Sequence, residues 1–354
     1  MAVSAQAGLF SFGPQASKGA TPPAWYKHRA TMIDLGVIDE TREGPPEVGG
    51  IAVPTFPYKS GPLVAGGATI QPRYENTFGY LLMAMLGKCS SVADVYNPDV
   101  FNHTFEMAAD STNVPWLGFR KHIPRKDGVA TTDLGEIFKD CKIVGGTLSL
   151  PNDAPLGMRI DAIGRDFLLD DDPTAWSYAN STLESWESIP VACATSGYIK
   201  IAGAELPVVA AQVGWQNVPL DIRQERVYGD PFIEDITIVQ RRLSYDMTVK
   251  WNDPQLYRKV LAGGVSGTQW SSAPYTASFE VKSVSSVNMP LESEPYSLTI
   301  KADEVMMSQQ GGITLAGNGA IMMRFSGVAL EATNYAQFIL RNKVDSSPGY
   351  AWPV

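Results

Sequence analysis

The chain has 354 residues, of which 44% are hydrophobic and 18% are charged, and its formal net charge is −9. This composition is typical of a folded globular protein and excludes an intrinsically disordered one. The acidic balance also excludes the basic surface that a nucleic-acid-binding protein needs. The 32 Gly and 25 Pro residues, together with short strand-like runs, favour a mainly β fold over a helical bundle.

The three cysteines, Cys89, Cys141 and Cys193, lie far apart and form no CxxC pair. We therefore expect neither a disulfide framework nor a zinc site, and free thiols fit a reducing cytoplasm. The first residues lack a basic start and a long apolar stretch, so we expect no secretory signal. No apolar run reaches the roughly eighteen residues that a membrane-spanning helix requires.

Residues 1–62 are rich in Gly, Pro, Ala and Ser and show little periodicity, which predicts extended arms and loops rather than packed strands. Four aromatic residues in this region, Phe10, Phe12, Trp25 and Tyr26, argue against pure disorder. Exposed aromatic side chains are costly unless they dock on a surface. Two readings stay open: a poorly ordered terminus, or an arm that docks on a neighbouring subunit.

A first β unit is predicted over residues 63–190. Its one helix begins after Asn76, a good N-cap residue, and stops at Gly87. The triple aspartate at 170–172, followed by Pro173, predicts a solvated turn, because the alternating acidic spacing of a calcium loop is missing. The predicted strands cover residues 67–73, 101–108, 118–123, 138–150 and 157–167.

A second β unit is predicted over residues 191–340, followed by a tail at 341–354. Its clearest strand, 242–251, alternates polar and apolar residues throughout, so one face should be buried and the other should meet water or a channel. Asp253 and Pro254 start a second helix that stops at Gly263. Further strands are predicted at residues 276–283, 296–302, 311–316 and 320–330.

The two units present similar elements in the same order. Each has a strand, a helix stopped by glycine, a strand containing a Phe-Glu pair, and a final hairpin, at 146–165 in the first unit and 311–330 in the second. We interpret this as gene duplication. The alternative is that β proteins share such elements by chance.

Residues for catalysis are scarce. The only histidines, His28, His103 and His122, have no partner at metal-ligand spacing. The glycine-rich segment 263–268 satisfies neither the nucleophile-elbow nor the phosphate-loop pattern. We therefore expect no enzyme and no cofactor.

The helix ending Leu-Leu-Met-Ala-Met-Leu-Gly at 81–87, the segment Phe138–Leu150 and the segment Gly157–Arg165 together resemble the major tail tube proteins of long non-contractile-tailed bacteriophages. The resemblance extends over about residues 60–340. It implies two tandem β-sandwich or barrel units, each with one flanking helix, whose sheets join those of neighbouring subunits into a β-barrel ring. Stacked rings would form a conduit for double-stranded DNA.

The resemblance also implies the partners and the location. A duplicated chain favours a trimeric ring with pseudo-sixfold symmetry, and a hexamer stays open. The tape measure protein and tail terminator or tip proteins would be further partners, in a virion tail assembled in the host cytoplasm. Phe10, Phe12, Trp25 and Tyr26 become candidate inter-ring arm residues.

Glu106, Asp161, Asp246 and Glu280 are the candidate residues lining the lumen. DNA carries one negative charge per about 1.7 Å, so an acidic wall would let it pass without binding. Glu106 and Glu280 hold matching places in the two units. The alternative for each residue is an ordinary solvent-facing carboxylate.

Two other classes of protein stay open. One is a different virion β-sandwich, such as a capsid decoration or baseplate protein. The other is a carbohydrate-binding module or hydrolase that uses scattered tryptophans as sugar platforms, although such tryptophans more often lie in cores or interfaces. The candidates for that role are Trp25, Trp116, Trp176, Trp186, Trp215 and Trp251.

Overall fold

A computed structural model describes residues 8–46, 48–50, 53–54, 56–74, 77–109, 114–125, 133–179, 197–252, 254–313, 319–333, 335–345 and 349–353. Within these residues the chain forms eighteen β-strands and two α-helices, which confirms the mainly β prediction. The predicted boundary between the units, at residue 190, lies outside the described residues.

The strands of the first half are β1 (Leu9–Pro14), β2 (Tyr26–His28), β3 (Ala30–Ile33), β4 (Gly36–Glu43), β5 (Pro57–Ile70), β6 (Gly87–Ala93), β7 (Phe101–Met107), β8 (Leu117–Ile123), β9 (Leu134–Pro151) and β10 (Gly157–Asp170). Those of the second half are β11 (Gly197–Ile201), β12 (Ala204–Glu205), β13 (Val208–Pro219), β14 (Ile238–Lys250), β15 (Tyr275–Asn288), β16 (Pro295–Gln309), β17 (Met322–Ala329) and β18 (Gln337–Asn342). The helices are α1 (Phe78–Leu86) and α2 (Gln255–Ala262).

All strands belong to one antiparallel sheet that does not close on itself. Eight of them follow one another in the order β4–β5–β10–β9–β13–β14–β17–β16, which we call the eight-strand run. Its first four strands come from the first half of the chain and its last four from the second half. The two groups meet where residues 145–151 of β9 pair with residues 210–216 of β13.

The two groups of four have the same internal order. Each begins with a pair of strands adjacent in the chain, β4–β5 or β13–β14, and α1 or α2 follows the second strand of that pair. Each then continues through the later strand of a hairpin, β10 or β17, to the earlier one, β9 or β16. This repeated pairing order agrees with the repeated element order in the sequence.

One part of the predicted match between the units is wrong. The Phe-Glu pairs at 105–106 and 279–280 lie on strands with different neighbours. β7 pairs with β6 and β18, whereas β15 pairs with β11 and β16. β15 pairs with β16 as β8 pairs with β9, so the counterpart of β15 in the first half is β8 and not β7.

A second run, β6–β7–β18–β16–β15–β11–β12, shares β16 with the first. Residues 297–301 of β16 pair with β18, and residues 305–309 pair with β17. The β15–β16 register shifts between these two parts, as at a β-bulge, and bulges bend strands. β16 therefore connects the two runs.

The alternation predicted at 242–251 is confirmed in β14. Leu243, Tyr245 and Met247 are buried, whereas Arg242 and Asp246 are exposed. The buried set belongs to one hydrophobic cluster that includes residues from both halves of the chain. Within it the Tyr245 and Phe279 rings stack at 4.3 Å. Burial of this alternating set favours formation of the sheet.

Both predicted glycine stops are confirmed. Gly87 and Gly263 follow α1 and α2 with φ of 93° and 71°, a left-handed conformation that glycine adopts without strain. The predicted N-cap residues Asn76 and Asp253 lie outside the described residues. The two helices differ in environment: α1 is almost wholly buried, whereas no residue of α2 is fully buried.

Both chain ends differ from the predicted arm and tail. Residues 9–43 contribute β1 to β4 to the sheet, with Phe10 and Phe12 buried in the core and Tyr26 packed against it. Near the other end, Tyr350 is 1% exposed and packs edge-on against Tyr80 of α1. The Trp352 indole donates a hydrogen bond to the Gln15 carbonyl at 2.7 Å, which ties the two ends together.

Candidate functional site

The outward side of the eight-strand run is a polar surface with charges of both signs, which we call the polar face. The side chains that alternate with buried ones are small, carry hydroxyl or amide groups, or are charged, as Arg242, Asp246 and Lys250 are on β14 and Arg324 is on β17. Its uncharged polar members are Thr147 and Ser149 on β9, Gln212 and Gln216 on β13, Ser244 and Thr248 on β14, Ser326 on β17 and Ser308 on β16.

Hydroxyl groups on the polar face bind one another. The Ser308 and Ser326 oxygens lie 2.9 Å apart, and the Gln310 amide donates to Ser326 at 2.6 Å. Groups satisfied in this way offer few strong contacts to a passing molecule. The alternation of polar and apolar residues along β13 indicated a polar outward surface in the sequence, although no prediction used it.

Two of the four predicted lumen residues lie on the polar face. Asp246 is exposed on β14, opposite Gln212 on β13 and Ser326 on β17. Asp161 lies on β10 between Gly67 and Gly145 of the neighbouring strands. A groove of about 540 Å³ passes beside Asp246 and also contains the cationic Arg324.

The carboxylate of Asp161 is paired with a cation. Arg159 donates from Nε to Asp161 at 2.7 Å and from Nη2 to both oxygens of Asp34 at 2.8 and 2.9 Å. These hydrogen bonds from Arg159 lower the pKa of Asp34. The polar face is therefore close to neutral here, rather than acidic as predicted, and sequence reasoning missed Arg159 and Asp34.

Glu106 and Glu280 lie on the second run, in one row of paired residues that crosses seven strands. The row is Lys88, Glu106, Gln337, Lys301, Glu280, Lys200 and Glu205, in which each residue is paired with the next. We call it the charge row. Basic and acidic side chains alternate along it except at Gln337, so opposite charges face each other across neighbouring strands.

Both glutamates are bound by neighbours in the charge row. Glu106 accepts hydrogen bonds at 2.7 Å from Lys88 and from Gln337, which hold its pKa below the usual value. Glu280 accepts a hydrogen bond from the Tyr198 hydroxyl, which raises the pKa of Tyr198 to about 12, and lies 3.6 Å from Lys301. The structure thus places Glu106 and Glu280 in one row, separated by β18 and β16, and on a different run of strands from Asp246 and Asp161.

The four aromatic residues predicted to form an inter-ring arm lie in the chain's own core instead. Phe10 stacks on Phe119 at 5.7 Å, and Tyr26 stacks on Tyr80 at 5.0 Å. Phe12 is fully buried, and Trp25 is 7% exposed beneath the Arg120 guanidinium at 3.9 Å. In this conformation none of them is available to a neighbouring ring, because their burial stabilises the chain itself.

Titratable clusters in the described residues serve structural roles. His103 is buried between Ser91 and Asn342, at 2.7 and 3.0 Å, where burial lowers its pKa to about 4. The Asp170 carboxylate accepts hydrogen bonds from Trp176 and from the Asp172 backbone, within the predicted turn. Across the described residues no group of three or more His, Cys, Asp or Glu side chains is placed to hold a metal ion.

Comparisons with known proteins assign no relative. No protein-family model matches the chain, and a search of curated protein sequences finds no match. Among the described residues no helix has the length and apolar character needed to cross a membrane.

Proposed function

We propose that this protein is a structural virion protein that polymerises into stacked rings and forms the tail tube of a long non-contractile-tailed bacteriophage, a conduit for double-stranded DNA. The observation that carries the proposal is the eight-strand run. Two groups of four strands with the same order are joined edge to edge in one chain by β9 and β13. Among the described strands, β4 pairs only with β5, so the run has an open edge at one end.

The other end of the run is open at the place that matches the β9–β13 junction. β8 pairs with one side of β9 as far as Cys141, and β13 pairs with the same side of β9 from Gly145 onward. β15 pairs with one side of β16 as far as Met307, and the last two residues of β16, Ser308 and Gln309, have no strand on that side among the described residues. A second copy's β4, the counterpart of β13, fits this place.

Repeating the junction between copies would remove the open edges. Unpaired N–H and C=O groups at a sheet edge bind other chains, and ring closure satisfies them all. Because each chain supplies two groups of four strands, three copies supply six groups. The proposed ring is therefore a trimer with pseudo-sixfold symmetry.

The polar face suits the wall of a DNA conduit. A basic wall would bind the phosphates and release counterions, which makes binding tight and salt-dependent. A wall of hydroxyl and amide groups with charges of both signs, in which Arg159 is paired with Asp34 and Asp161, gives less attraction of this kind than a uniformly basic wall. We accordingly replace the acidic wall with a near-neutral one, and retain Asp161 and Asp246 as lumen residues.

The assembly test uses the open edge of β4. Ile38 is 47% exposed on this strand, and Ile38→Lys places a charge at the proposed junction. Val287→Lys is the control, since Val287 is exposed on β15, outside the junction. We expect light scattering and negative-stain microscopy to show stacked rings for the wild type and the control, and dissociated chains for Ile38→Lys. A wild-type protein that stays a single chain at high concentration would contradict the proposal.

The same images separate the alternative virion proteins. A decoration or baseplate protein would give discrete oligomers, whereas a tube protein gives filaments of stacked rings. Interactions with a tape measure protein and with terminator or tip proteins stay predictions from the resemblance.

A further inference from the structure

The loop between β13 and β14 folds over the outward side of the first half. Ile233, Ile236 and Ile238 form a small hydrophobic cluster with Val114, separate from the main core. This cluster covers outward side chains from β5, β9 and β10, namely Leu63, Val144 and Ile163. Part of the outward surface is therefore covered by a segment from the second half.

Polar contacts fasten this loop in place. The Lys142 ammonium donates to the Ile236 carbonyl at 2.9 Å and lies over the Trp116 ring at 4.2 Å. The Arg165 guanidinium donates to the Ile233 carbonyl at 2.7 Å. Hydrogen bonds from charged donors are stronger than neutral ones, so the cover is held by more than apolar contact.

The matching surface of the second half has no such cover among the residues that the structure describes. Val328 on β17 matches Ile163 when the pair Val328–Met306 is aligned with the pair Ile163–Lys142, an alignment that also places Arg324 at Arg159. Arg242 on β14 is exposed and lies two residues before Ser244, which pairs with Val328. Met306 is 39% exposed, and neither Met306 nor Val328 belongs to a hydrophobic cluster of the described residues.

The chain carries one other hairpin in the position of β13–β14. β4 and β5 begin the first group of four as β13 and β14 begin the second, and both hairpins turn at the same end of the run. The β4–β5 hairpin exposes apolar side chains near its turn that lack a partner surface in the described chain: Val48, Val53, Phe56 and Tyr58.

We propose that the β4–β5 hairpin of a second copy covers Met306 and Val328, as the β13–β14 loop of the same chain covers Leu63 and Ile163. This inference rests on the proposed function, since the two copies must be neighbours in a ring. Phe56 and Tyr58, whose rings lie 6.3 Å apart, supply the apolar surface. Arg242 lies against these rings, as Lys142 lies over Trp116.

The test places a photoreactive p-benzoylphenylalanine at Met306 of the full chain. A second variant carries it at Gln212, which is exposed on β13 in the middle of the polar face. After irradiation of assembled protein, we expect a linked dimer for the Met306 variant, with mass spectrometry locating the link in residues 48–58. The Gln212 variant should give no link to that segment.

The outcomes separate the two proposals. Assembled rings in which the Met306 variant links to another segment, or gives no linked dimer, would overturn the hairpin contact and leave the proposed function standing. A wild-type chain that does not self-associate would overturn both. A link to residues 48–58 in assembled protein would establish the contact.

Discussion

Gln15 and Asp140, which are 125 residues apart, hold each other by two hydrogen bonds in the buried interior. The Gln15 amide donates to the Asp140 carboxylate at 2.9 Å, and the Asp140 backbone N–H donates to the Gln15 side-chain oxygen at 3.0 Å. The carboxylate also accepts from the Gly19 backbone at 2.7 Å. This pair fastens the N-terminal segment to β9.

Replacing Asp140 by Ala should destabilise the fold. Gln15 and Gly19 would lose their acceptor while still buried, which costs about 1–3 kcal/mol per unsatisfied group. Asp140→Asn retains one acceptor and tolerates the positive φ of 52°, so its effect should be smaller. Urea unfolding measures the free energy of unfolding, with Lys139→Ala as the neighbouring control. Equal stability of Asp140→Ala and the wild type would refute the fastening role.

Gly79 on α1 should not tolerate a side chain. A Cβ there would lie 2.2 Å from the Tyr350 ring, which is buried and cannot move freely. We expect Gly79→Ala to lower stability by roughly 1–3 kcal/mol through overpacking. In a chain that already carries Tyr350→Ala, Gly79→Ala should cause a much smaller loss of stability, because the ring it would clash with is gone. Gly157→Ala is the control, because its Cβ would meet no atom within 4 Å. Thermal unfolding compares the wild type, Gly79→Ala, Tyr350→Ala, the double variant and the control.

Stability should fall as the pH is lowered from 6.5 towards 4. His103 is buried beside Ser91, Asn342 and Tyr350, and burial lowers its pKa to about 4. Because the unfolded chain binds this proton near pH 6.5, the neutral folded state is favoured above that pH and loses its advantage below it. His28, also buried, has a pKa lowered to about 3 and acts in the same direction.

The variant His103→Gln isolates the contribution of His103 to this pH dependence of stability. It removes one titrating group, so its stability should change less between pH 6.5 and 4.5 than that of the wild type, by roughly 1–3 kcal/mol. The paired carboxylates, such as Glu106, have lowered pKa values and lose their contribution only in more acidic solution. Parallel pH profiles from urea unfolding for the two proteins would show that His103 is not responsible.

Reversing one charge in the charge row should lower the stability of the fold and should affect DNA passage less. Glu106→Lys places an ammonium beside Lys88 and removes the acceptor of Gln337. We expect a loss of about 0.5–1 kcal/mol, because the site is partly exposed. Glu106→Gln, which keeps an acceptor without the charge, should lose less. Unchanged unfolding curves for Glu106→Lys would show that the row contributes nothing to stability.

Making the polar face basic should create DNA binding that the wild type lacks. In assembled protein, Gln212→Lys with Gln216→Lys places repeated cations along the exposed face of β13. Fluorescence anisotropy should show binding to duplex DNA that weakens steeply with salt. The matched pair Gln212→Glu with Gln216→Glu should not bind. If the assembled lysine variants do not bind DNA, this face is not the lumen wall.

Local patterns in the sequence determined several parts of this protein. Alternation at 242–251 predicted a strand with one buried face, and glycines predicted the ends of both helices, because these features depend on neighbours a few residues away. The repeated order of elements along the chain is matched by the repeated strand order of the two groups of four. The neutral polar face was accessible to the same reasoning, through the alternation in β13.

Only the tertiary structure decided which strands pair and in what register. It placed Phe10 and Phe12 in the chain's own core, set Glu106 and Glu280 in one charge row apart from Asp161, and bound Gln15 to Asp140. Each of these relationships joins segments far apart in the chain. A one-residue change of register moves every side chain of a strand to the opposite face, so these contacts depend on the packing of the whole sheet.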